Sequence, residues 1–543
     1  MKRTASLFLA AVTMAALVAG VAPAGAGAST GSSTPRWIRH IQRYPGGISD
    51  GVRGMVSAEA VRARQTLGRS TTQASPRSAS DLNNLQMNTD SKPPLPQNET
   101  SVAFDTDEPL IAVAAANDYV SGGVVVMATL DGGQNWHSTR ITPQFRGTGD
   151  FCTGGDPSVA YSLRDDAFYL AQLCFFRALP YSEVQIYKSV DDGRTWTPGR
   201  QAARAASNFD YSNFTTDTSV FNDKEYITVD NTPNSPRYGR LYVTYTKFHI
   251  LDSGFSDYCP IQLAYTDNVP TFNPALTTFT HVSVVPDNPG DNGKGASADQ
   301  FSVPVAEKSG ALDIAYVLED CNTSYDRGLR FQKSVNGGNT FLPKPVRVNK
   351  PGQWADNPSL SDLLPNKKFR APNTISLAYS PVTGTLAFIY TNYIDMATSG
   401  GNVDVSLSTD GGYHWGGSQL VSANGQGQPA QRDQFFPWIS ATESGRFVAI
   451  WFDCRNDPNN HDIETFQGDS ADDASTFANH DISTTPWNPD YGFFTSGSFI
   501  GDYNGLAAGD HAVYPVWTDG RHSSIQQTGI GETDIFTNVE LGG

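Results

Sequence analysis

Asp433, Asp453 and Asp502, with Tyr503 beside the last, are side chains of this chain whose types could do paired acid–base work. Two carboxylates about 5–9 Å apart can divide the acid and base roles at a glycosidic bond. An aspartate near a second carboxylate has its pKa raised and serves as the acid, whereas a neighbouring arginine keeps its partner ionised. Arg370, Arg455 and Arg521, with Asp519, supply that second ingredient, and guanidinium groups also hold an anionic sugar by paired hydrogen bonds. These residues come largely from two similar stretches, "WFDCR" (451–455) and "WTDGR" (517–521), each preceded by an acid at 433 or 502. They have a plainer use as well: capping strand ends, pairing with one another, or holding a structural Ca²⁺.

What positions them is a repeat. "TLDGGQNW" (129–136), "SVDDGRTW" (189–196) and "STDGGYHW" (408–415) share the frame Ser/Thr-x-Asp-x-Gly-x-x-Trp. "SVNGGNTF" (334–341) keeps it with Asn and Phe, and "YTDNVPTF" (265–272) and "SADDASTF" (470–477) follow once that slack is allowed. Such spacing marks a repeat architecture. Each copy reads as a turn. Its acid or amide (Asp131, Asp191, Asp267, Asn336, Asp410, Asp472) accepts backbone amides one or two residues on. Gly supplies the positive φ, and the terminal aromatic is expected to bury beside the turn. A residue repeated in every unit does not mark one site, so these side chains are structural.

Each unit opens with a short apolar strand and continues with one rich in Tyr, Val and Trp. There are seven openings, from "NETSVAF" near 98 to "FIGDYNGLAAGDHAVYPVWTDGR" at 499. A third strand leads into the turn and a fourth follows it. Four short strands per unit, punctuated by Gly, Pro, Asn and Asp, predict an all-β propeller of seven blades, with six as the alternative. The seventh unit ends on its third strand, "TDIFTNVEL" (533–541), so a strand from before Asn98 is expected to complete it.

Residues 1–28 read as a secretory signal peptide: Lys2 and Arg3, an apolar run from Leu7 to Val21, then small-residue cleavage sites. The mature chain is expected to be exported and monomeric, with no membrane span. Residues 29–97 are rich in Ser, Pro, Gln and Arg and read as a poorly ordered arm, with one short helix near 57–67. The propeller takes 98–543. Residues 1–97 hold eleven Lys/Arg and four Asp/Glu, which leaves 98–543 at −24 of a total of −17. So acidic a body repels phosphate backbones, and nucleic acid is excluded as a partner. CxxC, HExxH and phosphate-loop patterns are absent, so no cofactor is called for.

The turn copies resemble the Asp-box (bacterial neuraminidase) repeats of the sialidase superfamily. "SPRYGRLYVTYTKF", "WFDCRNDPNN" and "FIGDYNGLAAGDHAVYPVWTDGR" are similar to secreted bacterial Asp-box proteins described as exo-sialidase-like, across essentially all of 98–541. The resemblance implies a glycan as ligand. It also implies three arginines on a sugar carboxylate, a Tyr nucleophile helped by a Glu, and an Asp as acid/base. The family's Arg-Ile-Pro motif is missing from the first blade, which opens with "NETSVAF". A non-catalytic propeller that binds carbohydrate or a surface protein therefore stands beside the glycoside hydrolase.

In that family the boxes lie between strands three and four on one face of the disc. The other face then receives the starts of strands one and the ends of strands two. Strand-one starts supply Glu99, Asp156, Asp223, Lys224, Glu225, Asp299, Arg370, Arg432, Asp433, Asp502 and Tyr503. Strand-two ends supply Asp118, Lys247, Glu319, Asp320, Asp453, Arg455, Asp457, Asp519 and Arg521. Among the five cysteines, the strand-end positions pair Cys152 with Cys174 and Cys259 with Cys321 on this face, and leave Cys454 free.

Overall fold

The structure, a computed structural model, describes residues 34–43, 51–56, 84–89, 94–285, 299–322, 326–359, 362–491, 493–494, 497–523 and 531–542. The expected signal peptide and the expected helix at 57–67 lie outside them. Seven antiparallel sheets form a ring. Strand one of each blade packs on strand one of the next, and that of blade seven on that of blade one. The six-bladed alternative is thereby set aside.

Strands two of six blades are buried along their whole length, as in Ala112–Asp118, Leu386–Asn392, Phe447–Asp453 and Ala512–Asp519. A strand pressed between two neighbouring blades is apolar on both faces, which explains runs such as "AVAAA" in place of strict alternation. Outer strands such as Ala478–Asp481 are largely exposed.

Blade seven is closed by the other end of the chain. Leu85–Gln86 pairs antiparallel with Asp534–Thr537 as the outermost strand. Asn88 clasps the joint: its Nδ2 donates to Gln97 Oε1 and Asp534 Oδ1, both at 2.8 Å, and its Oδ1 accepts the Ile535 amide at 2.8 Å.

In five of the six turns the Ser or Thr hydroxyl donates to the acid or amide oxygen at 2.8–2.9 Å. The amide that closes the turn comes from four residues on, as in His414 N to Asp410 Oδ1 at 3.0 Å, rather than from one or two. Gly412 has φ +88°, and a Cβ there would lie 2.1 Å from Phe331 of the preceding blade. The copy at 265–272 departs from the pattern. Asp267 binds Arg240 through both oxygens at 2.7 and 2.8 Å, and Phe272 is 97% exposed instead of buried.

The arm does not stay outside the disc. Helix Arg36–Arg43 buries Trp37, Ile38, His40 and Ile41 against blade three, with the Trp37 and Phe221 rings 5.2 Å apart. Residues 51–56 are helical too, with Val52 and Met55 buried. Two turns of helix are too short for their periodicity to stand out in a Ser/Pro-rich sequence.

Disulfides join Cys152 to Cys174 and Cys259 to Cys321, with Cα separations of 5.3 and 5.9 Å, and Cys454 is free and buried. Among the described residues no helix is long and apolar enough to cross a membrane.

Candidate functional site

The first strands of blades one, three, four and six are broken by a β-bulge near their starts. Each bulge carries a non-glycine residue at positive φ: Glu99 (59°), Lys224 (56°), Phe301 (53°) and Phe436 (54°). Asp156 (54°) precedes the first strand of blade two. Left-handed backbone is costly for such residues, about 1–2 kcal/mol each, and a bulge re-aims the side chain it carries. Strain repeated around one axis is a sign of a functional site.

Glu99, Asp156 and Glu225 are fully buried. The Glu99 and Asp156 carboxyls stand together, both against Gly51, and neither Asp156 oxygen has a hydrogen-bond partner. Asn117 Nδ2 donates to Glu99 Oε2 at 2.6 Å, and the Asp502 amide donates to Glu99 Oε1 at 3.2 Å. Burial pushes Glu99 well above the usual carboxylate range. Asp156 and Asp502 add to the shift and Lys224 opposes it. Burial does the same to Glu225, helped by Asp156, and neither Glu225 oxygen has a hydrogen-bond donor.

The positive charges are fewer. Arg370 holds Asp502 with both guanidinium edges, Nη2 to Oδ2 at 2.7 Å and Nε to Oδ1 at 3.3 Å. Lys224 Nζ has no hydrogen-bond acceptor and sits 3.2 Å from the Tyr503 ring centroid and 5.0 Å from that of Tyr226. Glu319 faces Arg370 and is still pushed up, by burial first. Five acids against two cations in a dry space cannot all ionise, and burial favours the protonated form at Glu99, Glu225 and Glu319.

Tyr226, Trp438 and Tyr503 form an aromatic floor, with ring centroids 5.3–6.4 Å apart. Burial, followed by Glu99, raises the Tyr503 phenol, which favours its protonated form. An axial channel of about 270 Å³ passes between the blades, lined by Ser101, Ser158, Tyr226, Val303, Ser376, Trp438 and Gly505, one residue from each first strand.

Of the residues expected from the sequence, Arg370, Asp502 and Tyr503 meet in this cluster. Asp433 does not join them. It is bound by Lys367 Nζ at 2.7 Å and Asn460 Nδ2 at 2.8 Å in a buried pair of its own. Asp453 accepts Trp451 Nε1 at 2.8 Å and Arg455 Nη2 at 2.6 Å, and Arg455 lies over the Phe466 ring at 4.2 Å. Asp519 repeats this with Trp517 at 3.0 Å and Arg521 at 2.7 Å, and Arg521 covers Phe536 at 4.3 Å. The two Trp-x-Asp-x-Arg stretches thus form matching clasps that tie strand two to the aromatic of strand three. Their arginines turn towards the outer strands because an aromatic face and a carboxylate wait there.

Asp457, His461 and Asp462 come within metal-ligand distance of one another. Asp457, however, accepts the amides of Asn459, His461 and Asp462, the pattern of a self-closed turn. Glu99, Asp156, Lys224 and Glu225 are among the strand-one starts and Glu319 among the strand-two ends; those positions were the available signal, and the bulges at Glu99 and Lys224 were not.

No family model and no curated protein matches the chain. Solved structures similar to it include the Hadza microbial sialidase Hz136, at 11% identity over 79% of this chain and 73% of that one, with a TM-score of 0.43. The Penicillium chrysogenum α-L-arabinanase complexed with arabinobiose gives 13%, 70%, 92% and 0.40. The Trypanosoma rangeli sialidase in complex with sialic acid gives 14%, 74%, 57% and 0.40. At these values the likeness concerns the propeller alone.

Proposed function

We propose that this protein is a secreted, sialidase-like glycoside hydrolase that cleaves extracellular glycans at the axial mouth. The observation that carries the reading is the Glu99–Asp156 carboxyl pair beside the Arg370–Asp502 ion pair. One carboxyl held protonated and another held by a guanidinium are the two states a glycosidic bond needs. Glu99 donates its proton to the leaving oxygen, and Asp502 offers negative charge to the developing oxocarbenium. Tyr503 and Trp438 give the sugar ring an apolar face to rest on. A water then adds to the oxocarbenium carbon, and its proton passes to the Glu99 carboxylate, restoring the acid. Asp433 and Asp453 act at a distance, by holding blade six in place.

The test is a glycan-array screen followed by a reducing-sugar assay on whatever binds. Asp502→Asn and Glu99→Gln are expected to lose turnover, and Asp410→Ala to keep it. Turnover lost with Asp410→Ala in a folded protein, and kept with Asp502→Asn, would reverse the two faces. Binding without any release would favour the second reading, a carbohydrate-binding propeller. The full burial of Glu99 and Asp156 speaks for that alternative.

A further inference from the structure

We infer that residues 34–43 and 51–56 form a built-in plug that closes the axial mouth and must leave before a ligand enters; this rests on the mouth being the carbohydrate site. The plug sits directly on the chemistry. A Cβ on Gly51 would lie 2.3 Å from Asp156 Oδ1 and 2.6 Å from Glu99 Oε2. A Cβ on Gly54 would lie 2.7 Å from the Tyr119 hydroxyl, which donates to Asn98. Only glycine lets the backbone come so close, and no sugar fits between it and the acids.

The outer half is an anchor. Trp37, Ile38 and Ile41 join the apolar cluster of blade three, and His40 Nδ1 donates to the Gly254 carbonyl at 2.8 Å. Arg36 binds Asp252 at 2.8 Å. Residues 34–56 carry four arginines and one aspartate, against a propeller body at −24, so docking is favoured by charge as well as by apolar burial. The plug takes no part in closing the ring. That role belongs to Leu85–Gln86, farther along the chain, so the plug can swing away with all seven blades intact.

Two full-length variants test the plug. Gly51→Val drives a side chain into both carboxylates and is expected to expel residues 51–56. Arg39→Cys with Gly254→Cys places two Cβ atoms 3.5 Å apart, within disulfide reach, and locks the anchor when oxidised. Access is read without any glycan, by carbodiimide coupling of Glu99 and Asp156 followed by mass spectrometry. Hydrogen exchange of peptides from 34–56 reports whether the plug has left. If the mouth is open in about one molecule in ten of the native protein, Gly51→Val raises coupling and kcat/KM about tenfold. The oxidised lock suppresses both, and mild reductant restores them.

Equal coupling of Glu99 in the native, Gly51→Val and locked proteins would overturn the plug, and the lock decides this even if Gly51→Val misfolds. Coupling that follows the plug while no form binds or cleaves a glycan would keep the plug and overturn the carbohydrate reading.

Discussion

Glu99→Gln should stabilise the protein increasingly as pH rises. A Gln keeps the shape of a protonated Glu and one acceptor for Asn117, so packing is largely preserved. Burial holds the folded-state pKa of Glu99 well above the usual carboxylate range. A raised carboxyl contributes stability that is fully present below the unfolded value. That stability drains away as pH climbs from there towards the folded value, because the unfolded chain releases its proton first. The slope is one proton, about 1.4 kcal/mol per pH unit. Between pH 5 and pH 7 the variant should therefore gain on the wild type, by at most about 2.7 kcal/mol, since Gln titrates in neither state. Urea unfolding of both proteins at pH 5, 6 and 7, followed by tryptophan fluorescence, measures the difference. Glu225 and Glu319 contribute equally to both and cancel. The same substitution should abolish glycan release, because an amide has no proton to give. A stability difference that stays flat from pH 5 to 7 would show that Glu99 is ionised in the folded protein, and its role as acid would fall.

Asp410→Ala is expected to cost only about 1 kcal/mol, because the side chain is 42% exposed and its interactions are screened by solvent. Burial nudges Asp410 up, but the His414 amide and ring and the Ser408 hydroxyl outweigh it and hold the carboxyl at about 2. The deficit of the variant should accordingly be present above pH 4 and vanish as pH falls towards 2, in thermal melts run at each pH. Asn88→Ala removes three hydrogen bonds inside the closure of blade seven and should cost about 2–4 kcal/mol, since buried partners are left unpaired. Hydrogen exchange should show the loss first at 534–537, with blades two to five protected as before.

Seven openings and six turn copies were enough to count the blades, because strand periodicity and turn chemistry are properties of short stretches. The need for a strand from before Asn98 was also legible, since a seventh unit with three strands leaves an open edge. That this strand is Leu85–Gln86, clasped by Asn88, was not: two residues have no pattern. Asp502, Tyr503 and Arg370 could be suspected from their places at strand starts, yet the same rule chose Asp433 and Asp453, which are held by Lys367 and Arg455 elsewhere. A charged residue at a strand end can turn towards the axis or towards the outer strands, and its own neighbours in sequence do not decide which. The turn inward comes from bulges with positive φ at Glu99 and Lys224, and the partners arrive from far along the chain. Arg370 reaches Asp502 over 132 residues, and the Asp502 amide reaches Glu99 over 403. The repeat was therefore determined by the sequence alone. The site was decided by ring closure, which brings blade one against blade seven and leaves more acids in a dry space than can be ionised at once.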